Sequence, residues 1–287
     1  MIPAGTNGVI RIEKLCYSYD TERKILDSVD LSIFENEFTV ILGQNGSGKT
    51  TLLKNISGLL RPVHGSIYLR GKDTARMSVA DIAGEIGFVM QDPDSQLFEQ
   101  TVYDEVAFSL KLSGGKKSGR NVSALQKKQI SEKAEDALAA AGILDKRDAF
   151  PPSLGRAERI NVVFASVLAM GPKIIMLDEP LAGQDCRGCR RIMGILADLH
   201  KKGHTVLMVT HNVNIAAEFA RRVIVMKDAK IFMDGDAAGV FGQPEKLALA
   251  GILPPEITRL GQALRGRIPL EKDPLVPGEL TAMLANL

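Results

Sequence analysis

Residues 38–51 combine an apolar run with a glycine-rich polar loop, and they read Phe38-Thr39-Val40-Ile41-Leu42-Gly43-Gln44-Asn45-Gly46-Ser47-Gly48-Lys49-Thr50-Thr51. The spacing G-x-x-x-x-G-K-T between a strand and a helix is typical of a phosphate-binding loop. Its glycines let backbone N–H groups curl around phosphate oxygens, and the helix directs its positive end at them. A plain glycine turn before an ordinary helix is the alternative, and the order strand, loop, helix argues against it. The stretch therefore predicts a phosphate-binding loop within an α/β protein.

The last residues of this loop have chemistry suited to a nucleotide and Mg²⁺. Lys49 should neutralise the β- and γ-phosphates, and the Thr50 hydroxyl should coordinate Mg²⁺, which prefers an octahedral shell of oxygen ligands. The residues that we expect to contact the nucleotide are Gly43, Gln44, Asn45, Gly46, Ser47, Gly48, Lys49, Thr50 and Thr51.

Length and charge limit the classes of protein to consider. The 287 residues are 45% hydrophobic, enough to bury one large domain or two unequal ones. The 36 basic and 34 acidic residues leave a net charge of +2, so we expect no nucleic-acid partner. No apolar run reaches the roughly 18–20 residues that span a bilayer, and the N-terminus lacks the pattern of a secretory signal. These features predict a cytoplasmic protein that does not cross a membrane unaided.

Three cysteines, Cys16, Cys186 and Cys189, form no disulfide framework, which suits a reducing compartment. Cys186 and Cys189 make a C-x-x-C pair. A metal site would need further Cys or His ligands, and none lies nearby in the sequence. A role for the pair stays open.

Strand and helix patterns around the loop indicate further parts. Alternating segments within residues 9–34 predict two short strands, with Tyr19 between them either as an exposed aromatic or stacked on an adenine ring. Helical spacing predicts an insert at about 92–153, and Gln91 stands just before it. Within the insert, residues 113–120 read as a basic, glycine-rich loop.

The α/β pattern resumes after the insert and places polar residues at strand ends. The apolar run 174–177 ends in Asp178 and Glu179, and the run 205–209 ends beside His211. Open α/β sheets bind ligands at the carboxyl ends of their strands. We therefore expect Asp178 to reach Mg²⁺ through its water shell and Glu179 to face the attacking water. His211 is expected to hydrogen-bond a γ-phosphate oxygen.

With these parts placed, residues 9–275 resemble an ATP-binding-cassette (ABC) ATPase. The resemblance implies an α/β fold of the P-loop, RecA-like type, with an N-terminal antiparallel β part and a helical subdomain. It implies a domain over 8–238, with the subdomain inserted at about 92–153, and a small C-terminal helical extension over 239–287. The matching motifs are the A-loop at Tyr19, Walker A at Gly43–Thr50, the Q-loop at Gln91, Walker B at Asp178 and Glu179, the D-loop at Ala182-Gly183-Gln184-Asp185 and the switch histidine at His211.

The resemblance implies that the chain binds ATP and Mg²⁺. The expected catalytic residues are Lys49, Glu179 and His211, and the expected Mg²⁺ ligands are Thr50, Gln91 and Asp178.

Two segments narrow the resemblance to the ATPase subunits of energy-coupling-factor (ECF) and cobalt importers. They are Gln91-Asp92-Pro93-Asp94-Ser95-Gln96-Leu97-Phe98, similar to Q-N-P-D-x-Q-L-F, and Ile252-Leu253-Pro254-Pro255-Glu256-Ile257-Thr258-Arg259-Leu260. The resemblance implies ATP hydrolysis that powers import of a vitamin or a transition-metal ion. It also implies a second ATPase subunit, a transmembrane coupling subunit and a substrate-binding membrane subunit, with this chain peripheral on the cytoplasmic face.

The chain departs from the family pattern in the signature, where Leu154-Gly155-Arg156-Ala157-Glu158 replaces L-S-G-G-Q. Gly155 and Ala157 are expected to meet a partner's nucleotide, but Gly155 lacks the Ser hydroxyl and Ala157 adds a methyl group where backbone must approach closely. In the D-loop region Gln184 replaces the Leu of the family pattern, Leu181 replaces the Thr and Cys186 replaces the Pro.

These departures favour a heterodimer with unequal sites, and a homodimer with a tolerated variant signature is the alternative. Two other functions stay open. One is a soluble ABC ATPase that takes no part in transport, and the other is a nucleotide-binding regulator with weak turnover.

Overall fold

The structure is a computed structural model that describes residues 8–20, 23–113, 124–265, 267–270 and 272–285. The N-terminal residues used for the targeting prediction and the predicted basic loop from residue 114 onward lie outside this part of the chain. The chain divides into two compact units: unit 1 is Met1–Ser78 with Leu207–Leu287, and unit 2 is Val79–Val206.

The strands and α-helices of the described residues are β1 (Ile10–Tyr17), β2 (Leu26–Ile33), β3 (Phe38–Leu42), α1 (Lys49–Ile56), β4 (His64–Leu69), β5 (Lys72–Asp73), α2 (Val79–Glu85), β6 (Ile86–Val89), α3 (Val102–Ser113), α4 (Ala124–Ala141), α5 (Arg156–Met170), β7 (Ile174–Asp178), α6 (Cys186–Lys201), β8 (Thr205–Val209), α7 (Val213–Phe219), β9 (Arg222–Lys227), β10 (Lys230–Asp236), α8 (Ala237–Phe241), α9 (Pro244–Leu249), α10 (Glu256–Leu264) and α11 (Pro277–Ala285). They alternate from β6 to β9 except for the three consecutive helices before β7, and four consecutive helices end the order.

Unit 1 contains an antiparallel sheet in the order β2-β1-β4-β5, so the strand predictions before the loop are confirmed. Its other strands run β10-β9-β3, followed by the end of β8. Strand β3 pairs in parallel with β9, and all five of its side chains are buried. Burial on both faces explains why β3 is apolar throughout instead of alternating. This parallel strand leads directly into the glycine-rich loop.

In unit 2, β6 pairs in parallel with β7, and the start of β8 lies beside β7. Helices α3, α4 and α5 pack on one another around a core that includes Val106, Leu138 and Phe164. The predicted helical character of the insert is therefore confirmed for its described residues. No helix in the described ranges has the length and apolar character needed to span a membrane.

Glu105 on α3 is a buried carboxyl, only 3% exposed, whose Oε2 accepts the Phe98 and Glu99 backbone N–H groups at 2.9 Å each. Burial raises the pKa of the Glu105 carboxyl above its usual range, although the two N–H groups oppose this. A raised pKa in the folded state means that the group's contribution to stability is largest below its unfolded pKa and declines as pH rises through the folded value.

We expect Glu105→Gln to remove that decline while it keeps an oxygen for the two N–H groups. Chemical denaturation between about pH 4 and neutrality should show the free energy of unfolding of the unmodified chain falling relative to the variant as pH rises. The exposed Glu132 on α4 supplies the control Glu132→Gln, which should leave the profile unchanged. Parallel profiles for Glu105→Gln and the unmodified chain would contradict the assignment.

The C-terminal extension is a set of short helices held by polar contacts. Thr258 is buried and donates its hydroxyl to the Pro274 carbonyl at 2.7 Å. Asp273 accepts hydrogen bonds from Gln262 at 3.1 Å and from Arg265 at 2.5 Å. These contacts fix α10 against the segment that leads into α11, as expected for helical pieces separated by prolines.

Candidate nucleotide-binding site

The loop between β3 and α1 presents its lysine to the interior of a backbone curl. Lys49 is buried, and its Nζ donates to the Gly43 carbonyl at 2.7 Å and to the Gln44 carbonyl at 2.9 Å. Gly48 precedes α1 with φ of 104°, a left-handed conformation that favours glycine. The ammonium is thus held over the loop, at the N-terminus of a helix, where an anion is stabilised.

The buried hydroxyl of Ser47 is a second feature of the loop that points to a ligand. Its side-chain oxygen is buried, and it has no hydrogen-bond partner among the described residues. The residue itself is 6% exposed. A Cβ built on Gly43 would lie 2.6 Å from this oxygen, so the space beside it exists because residue 43 is glycine. Buried hydroxyls are rarely left unpaired, and a phosphate oxygen would satisfy this one.

Tyr19, the aromatic residue predicted to stack on adenine, lies beside the start of α1. The Tyr19 hydroxyl lies 3.4 Å from the Thr51 hydroxyl, and the Tyr19 ring is 59% exposed and edge-on to Tyr17. An exposed ring next to a phosphate loop can stack on a base, so adenine stacking by Tyr19 stays a prediction. The roles of Thr50 toward Mg²⁺ and of Thr51 toward the nucleotide also stay predictions.

His211 lies in unit 1 with the loop. They share a cavity of about 770 Å³ whose lining includes Gly43, Gln44, Asn45, His211 and, from the C-terminal extension, Gly251, Ile252 and Leu253. The extension touches the loop closely, because a Cβ built on Gly251 would lie 1.7 Å from Gln44 Nε2. Sequence reasoning singled out Ile252 and Leu253 as a motif but missed their place at the loop.

A second cavity of about 390 Å³ adds positive charge to the same loop. Its lining includes Arg23, Lys24 and Lys227, together with Gln44–Ser47. These three cations were not predicted, since nothing in the spacing of residues 23–24 or 227 marks them as neighbours of the loop. Asp228 also lines the cavity, 3.8 Å from Lys227, and Lys24 pairs with Asp27 at 2.7 Å. The net positive charge that favours an anion is therefore small.

The predicted carboxylates belong to unit 2. Asp178 is buried at the end of β7, and Glu179 follows with φ of 51°, a left-handed conformation that is strained for a side chain of this size. The Ala182 N–H donates to the Glu179 carbonyl at 3.1 Å and closes a tight turn. Strained backbone of this kind costs about 1–3 kcal/mol. Six other non-glycine residues in the described ranges also have positive φ, so the conformation by itself does not mark a functional site.

The residues of the variant signature form hydrogen bonds with other residues of unit 2. The Gly155 N–H, at the start of α5, donates to Glu158 Oε2 at 2.9 Å. Arg156 donates to the Gln91 carbonyl at 2.7 Å, and Arg159 pairs with Asp94 at 2.5 Å. The Gly155 N–H and both arginines therefore have partners within this unit. The Glu158 cap on Gly155 was not predicted from the sequence.

The segment that carries Gln91 is held by two hydrogen bonds of the Gln96 side chain. Gln96 accepts from the Met90 N–H at 2.8 Å and donates to the Phe88 carbonyl at 2.9 Å, so its amide extends strand β6. Gln91 is exposed at the end of this strand. The role of Gln91 toward Mg²⁺ stays a prediction, as do those of Gly155 and Ala157 toward a partner's nucleotide.

Comparisons with known proteins agree with the geometry. The energy-coupling factor transporter ATP-binding protein EcfA2 of Acetivibrio thermocellus is 35% identical over 273 residues, which cover 93% of this chain and 94% of EcfA2. The structure of cbiO1 from Clostridium perfringens, described as part of the ABC transporter complex cbiONQ, superimposes with a TM-score of 0.70. It is 31% identical and covers 91% of this chain and 100% of its own. A dimeric ATP-binding cassette bound to ADP and Pi has a TM-score of 0.72 at 26% identity, over 79% of this chain and 98% of its own.

Other relatives are longer. The chain spans only 41–43% of the length of three curated ABC transporter ATP-binding proteins from Methanosarcina acetivorans, Caldanaerobacter subterraneus and Methanosarcina mazei, to which it is 36–40% identical. The profile of the ABC transporter family matches residues 26–182, more than half of the chain. The predicted P-loop α/β fold is thereby confirmed, and the chain belongs to the ABC transporter family of ATP-binding proteins.

Proposed function

We propose that this chain is the ATP-hydrolysing subunit of an ECF-type importer that takes up a vitamin or a transition-metal ion. The observation that carries the proposal is the loop between β3 and α1, where Lys49 spans two loop carbonyls and the buried Ser47 hydroxyl is left without a described partner. Similarity to EcfA2 over nearly the whole of both chains supports the importer class.

The residues present fit ATP with Mg²⁺. The backbone curl, the Lys49 ammonium and the Ser47 hydroxyl supply donors for phosphate oxygens, and Tyr19 supplies a ring for the adenine. Thr50, Gln91 and Asp178 would hold Mg²⁺ through oxygen ligands and its water shell. Bound Mg²⁺ would neutralise charge on the β- and γ-phosphates.

Hydrolysis then depends on positioning and on charge neutralisation. Lys49 stabilises the charge that develops on the transferred phosphoryl group. Glu179 orients the attacking water or accepts its proton, and His211 donates to a γ-phosphate oxygen. The strained backbone at Glu179 is consistent with a group that is fixed for a chemical task.

The second part of the proposal concerns the dimer. Each nucleotide lies between one subunit's P-loop and the other subunit's signature. In this chain the Glu158 carboxylate already occupies the Gly155 N–H, and it would repel the γ-phosphate that the partner presents. This chain therefore contributes the weaker signature and works in a heterodimer with unequal sites, opposite a subunit whose own signature completes the site built on Lys49 and Glu179.

Phosphate release from the purified chain alone, compared with release after mixing with a second ATP-binding subunit from the same cell, tests this proposal. We expect at least about a 10-fold increase on mixing, because loss of a donor to a charged oxygen costs about 1.5–3 kcal/mol. Glu158→Gln removes the charge and keeps the shape, so it should raise the rate of the chain alone. Full cooperative turnover by the unmodified chain alone would contradict the unequal dimer.

The segment that follows Gln91 is the proposed contact with the membrane partners. Phe98 is 62% exposed and lies edge-on to Phe108 with ring centroids 4.9 Å apart, so an apolar surface stands beside the Q-loop. We propose that a transmembrane coupling subunit docks on this surface and that a substrate-binding membrane subunit recognises the cargo. The chain is then peripheral on the cytoplasmic face of the membrane.

A further inference from the structure

The D-loop residue Gln184 makes contacts that the proposed function does not use. It lies in the connection between β7 and α6, where the family pattern has an apolar residue. Its Nε2 donates to the Ala157 carbonyl at 3.1 Å and to Asn161 Oδ1 at 3.0 Å. Both acceptors lie at the start of α5, in or next to the variant signature. The amide therefore binds the D-loop to the signature helix of the same chain.

The space around Gln184 is shaped for this contact. A Cβ built on Gly188 would lie 2.4 Å from Gln184 Oε1, so a larger residue at position 188 would displace the amide. Asp185 accepts the Gly188 N–H at 2.7 Å and caps α6, which fixes the backbone beside the amide. Asn161 is 8% exposed, so one of the two acceptors is largely shielded from water. Shielded hydrogen bonds hold a side chain more firmly than exposed ones.

A short series of bonds continues from Gln184 to Glu179. The Gln184 N–H donates to the Leu181 carbonyl at 3.1 Å, and the Ala182 N–H donates to the Glu179 carbonyl at 3.1 Å. The two overlapping turns leave little freedom between Glu179 and Gln184. A displacement at Ala157 is thus transmitted through the Gln184 amide to the backbone that carries Glu179.

We propose that Gln184 is a positioning residue that couples the signature of this chain to its own general base. The inference rests on the proposed function, in which the signature serves one nucleotide of the dimer and Glu179 serves the other. Engagement of a nucleotide by residues 155–157 then adjusts Glu179 at the opposite site, and this links the two hydrolysis events.

The test uses Gln184→Leu, which keeps the approximate volume, and Gln184→Glu, which keeps the shape but loses both N–H donors. Each is measured in the complex purified from its native membranes. For both variants we expect kcat to fall at least about 5-fold, because two hydrogen bonds are lost and each contributes about 0.5–1.5 kcal/mol net. The Hill coefficient for ATP should fall toward 1. KM should stay within about 2-fold, because most contacts to ATP are assigned to residues 43–51 and the signature of this chain is the weaker one.

Gln243→Leu is the matched control, since Gln243 also donates its amide to a carbonyl, that of Gly239 at 2.6 Å, but lies in the C-terminal extension. It should leave kcat and the Hill coefficient unchanged. A role in packing alone would leave the Hill coefficient of Gln184→Leu at the unmodified value, and that result would overturn the proposal.

Hydrogen exchange of the isolated chain, followed by mass spectrometry, separates this inference from the proposed function. Gln184→Leu should speed exchange in peptides that cover residues 155–161 and 180–185, with no change in 43–51. Unchanged exchange in 155–161 would overturn the coupling. A complex that releases no phosphate would contradict the proposed function. Because hydrogen exchange needs no turnover, it would still test whether Gln184 couples residues 155–161 to residues 180–185.

Discussion

Glu179→Gln is expected to lower the turnover of ATP by roughly 10²–10⁴-fold, the usual range for losing a general base. The amide keeps the size of the side chain but cannot accept a proton from water. ATP binding should persist, because Lys49 and the loop that binds the phosphates are unchanged. Phosphate release by the assembled complex gives the rate, and equilibrium binding of ATP gives the affinity.

The control for this substitution is Glu218→Gln, which makes the same chemical change at an exposed position on α7. It should leave both rate and affinity unchanged. A near-normal rate in Glu179→Gln would remove this residue from the mechanism and with it the functional reading of its strained backbone.

Gly43→Ala is expected to abolish ATP binding and to destabilise unit 1. The new Cβ would lie 2.5 Å from the Met226 carbonyl oxygen and 2.6 Å from the Ser47 hydroxyl, at a φ of 155°. Overpacking of this kind costs about 1–3 kcal/mol. Because the clash falls on the space beside Ser47, the loss should appear in ligand binding as well as in stability.

Gly46→Ala is the matched comparison within the same loop. A Cβ there meets nothing within 4 Å, although its φ of 79° disfavours alanine by about 1–2 kcal/mol. Thermal unfolding with and without Mg-ATP should show no ligand-induced stabilisation for Gly43→Ala and a reduced but measurable one for Gly46→Ala. Equal ligand-induced shifts in the two variants would contradict the role given to the space beside Ser47.

The parts of the fold that the sequence predicted well are those set by local pattern. The continuous apolar runs at 174–177 and 205–209 predicted buried parallel strands, and β7 and β8 follow them closely. Helix α5 covers Arg156–Met170, is buried on all sides over residues 160–167 and ends at the left-handed Gly171. In these cases the length of the apolar run and the chain-breaking residues suffice, because an element buried on all sides is apolar throughout and is recognised by its length and its ends.

Contacts between distant segments could not be predicted in the same way. Gly251 lies against Gln44 and Gln184 reaches Ala157, yet no local pattern connects either pair. Such contacts depend on tertiary packing, which a single sequence does not encode in its periodicity. The Glu158 cap is intermediate: a Glu three residues after a helix start is half of a capping box, and that signal was available.

The central claim, that this chain energises a membrane importer, is tested most directly by purifying a tagged chain from detergent-solubilised membranes of its own cell and identifying its stoichiometric partners by mass spectrometry. The proposed function predicts one second ATP-binding subunit together with an integral membrane protein of several apolar helices, retained through size-exclusion chromatography. Recovery of the chain solely from the soluble fraction, without any membrane protein, would contradict it.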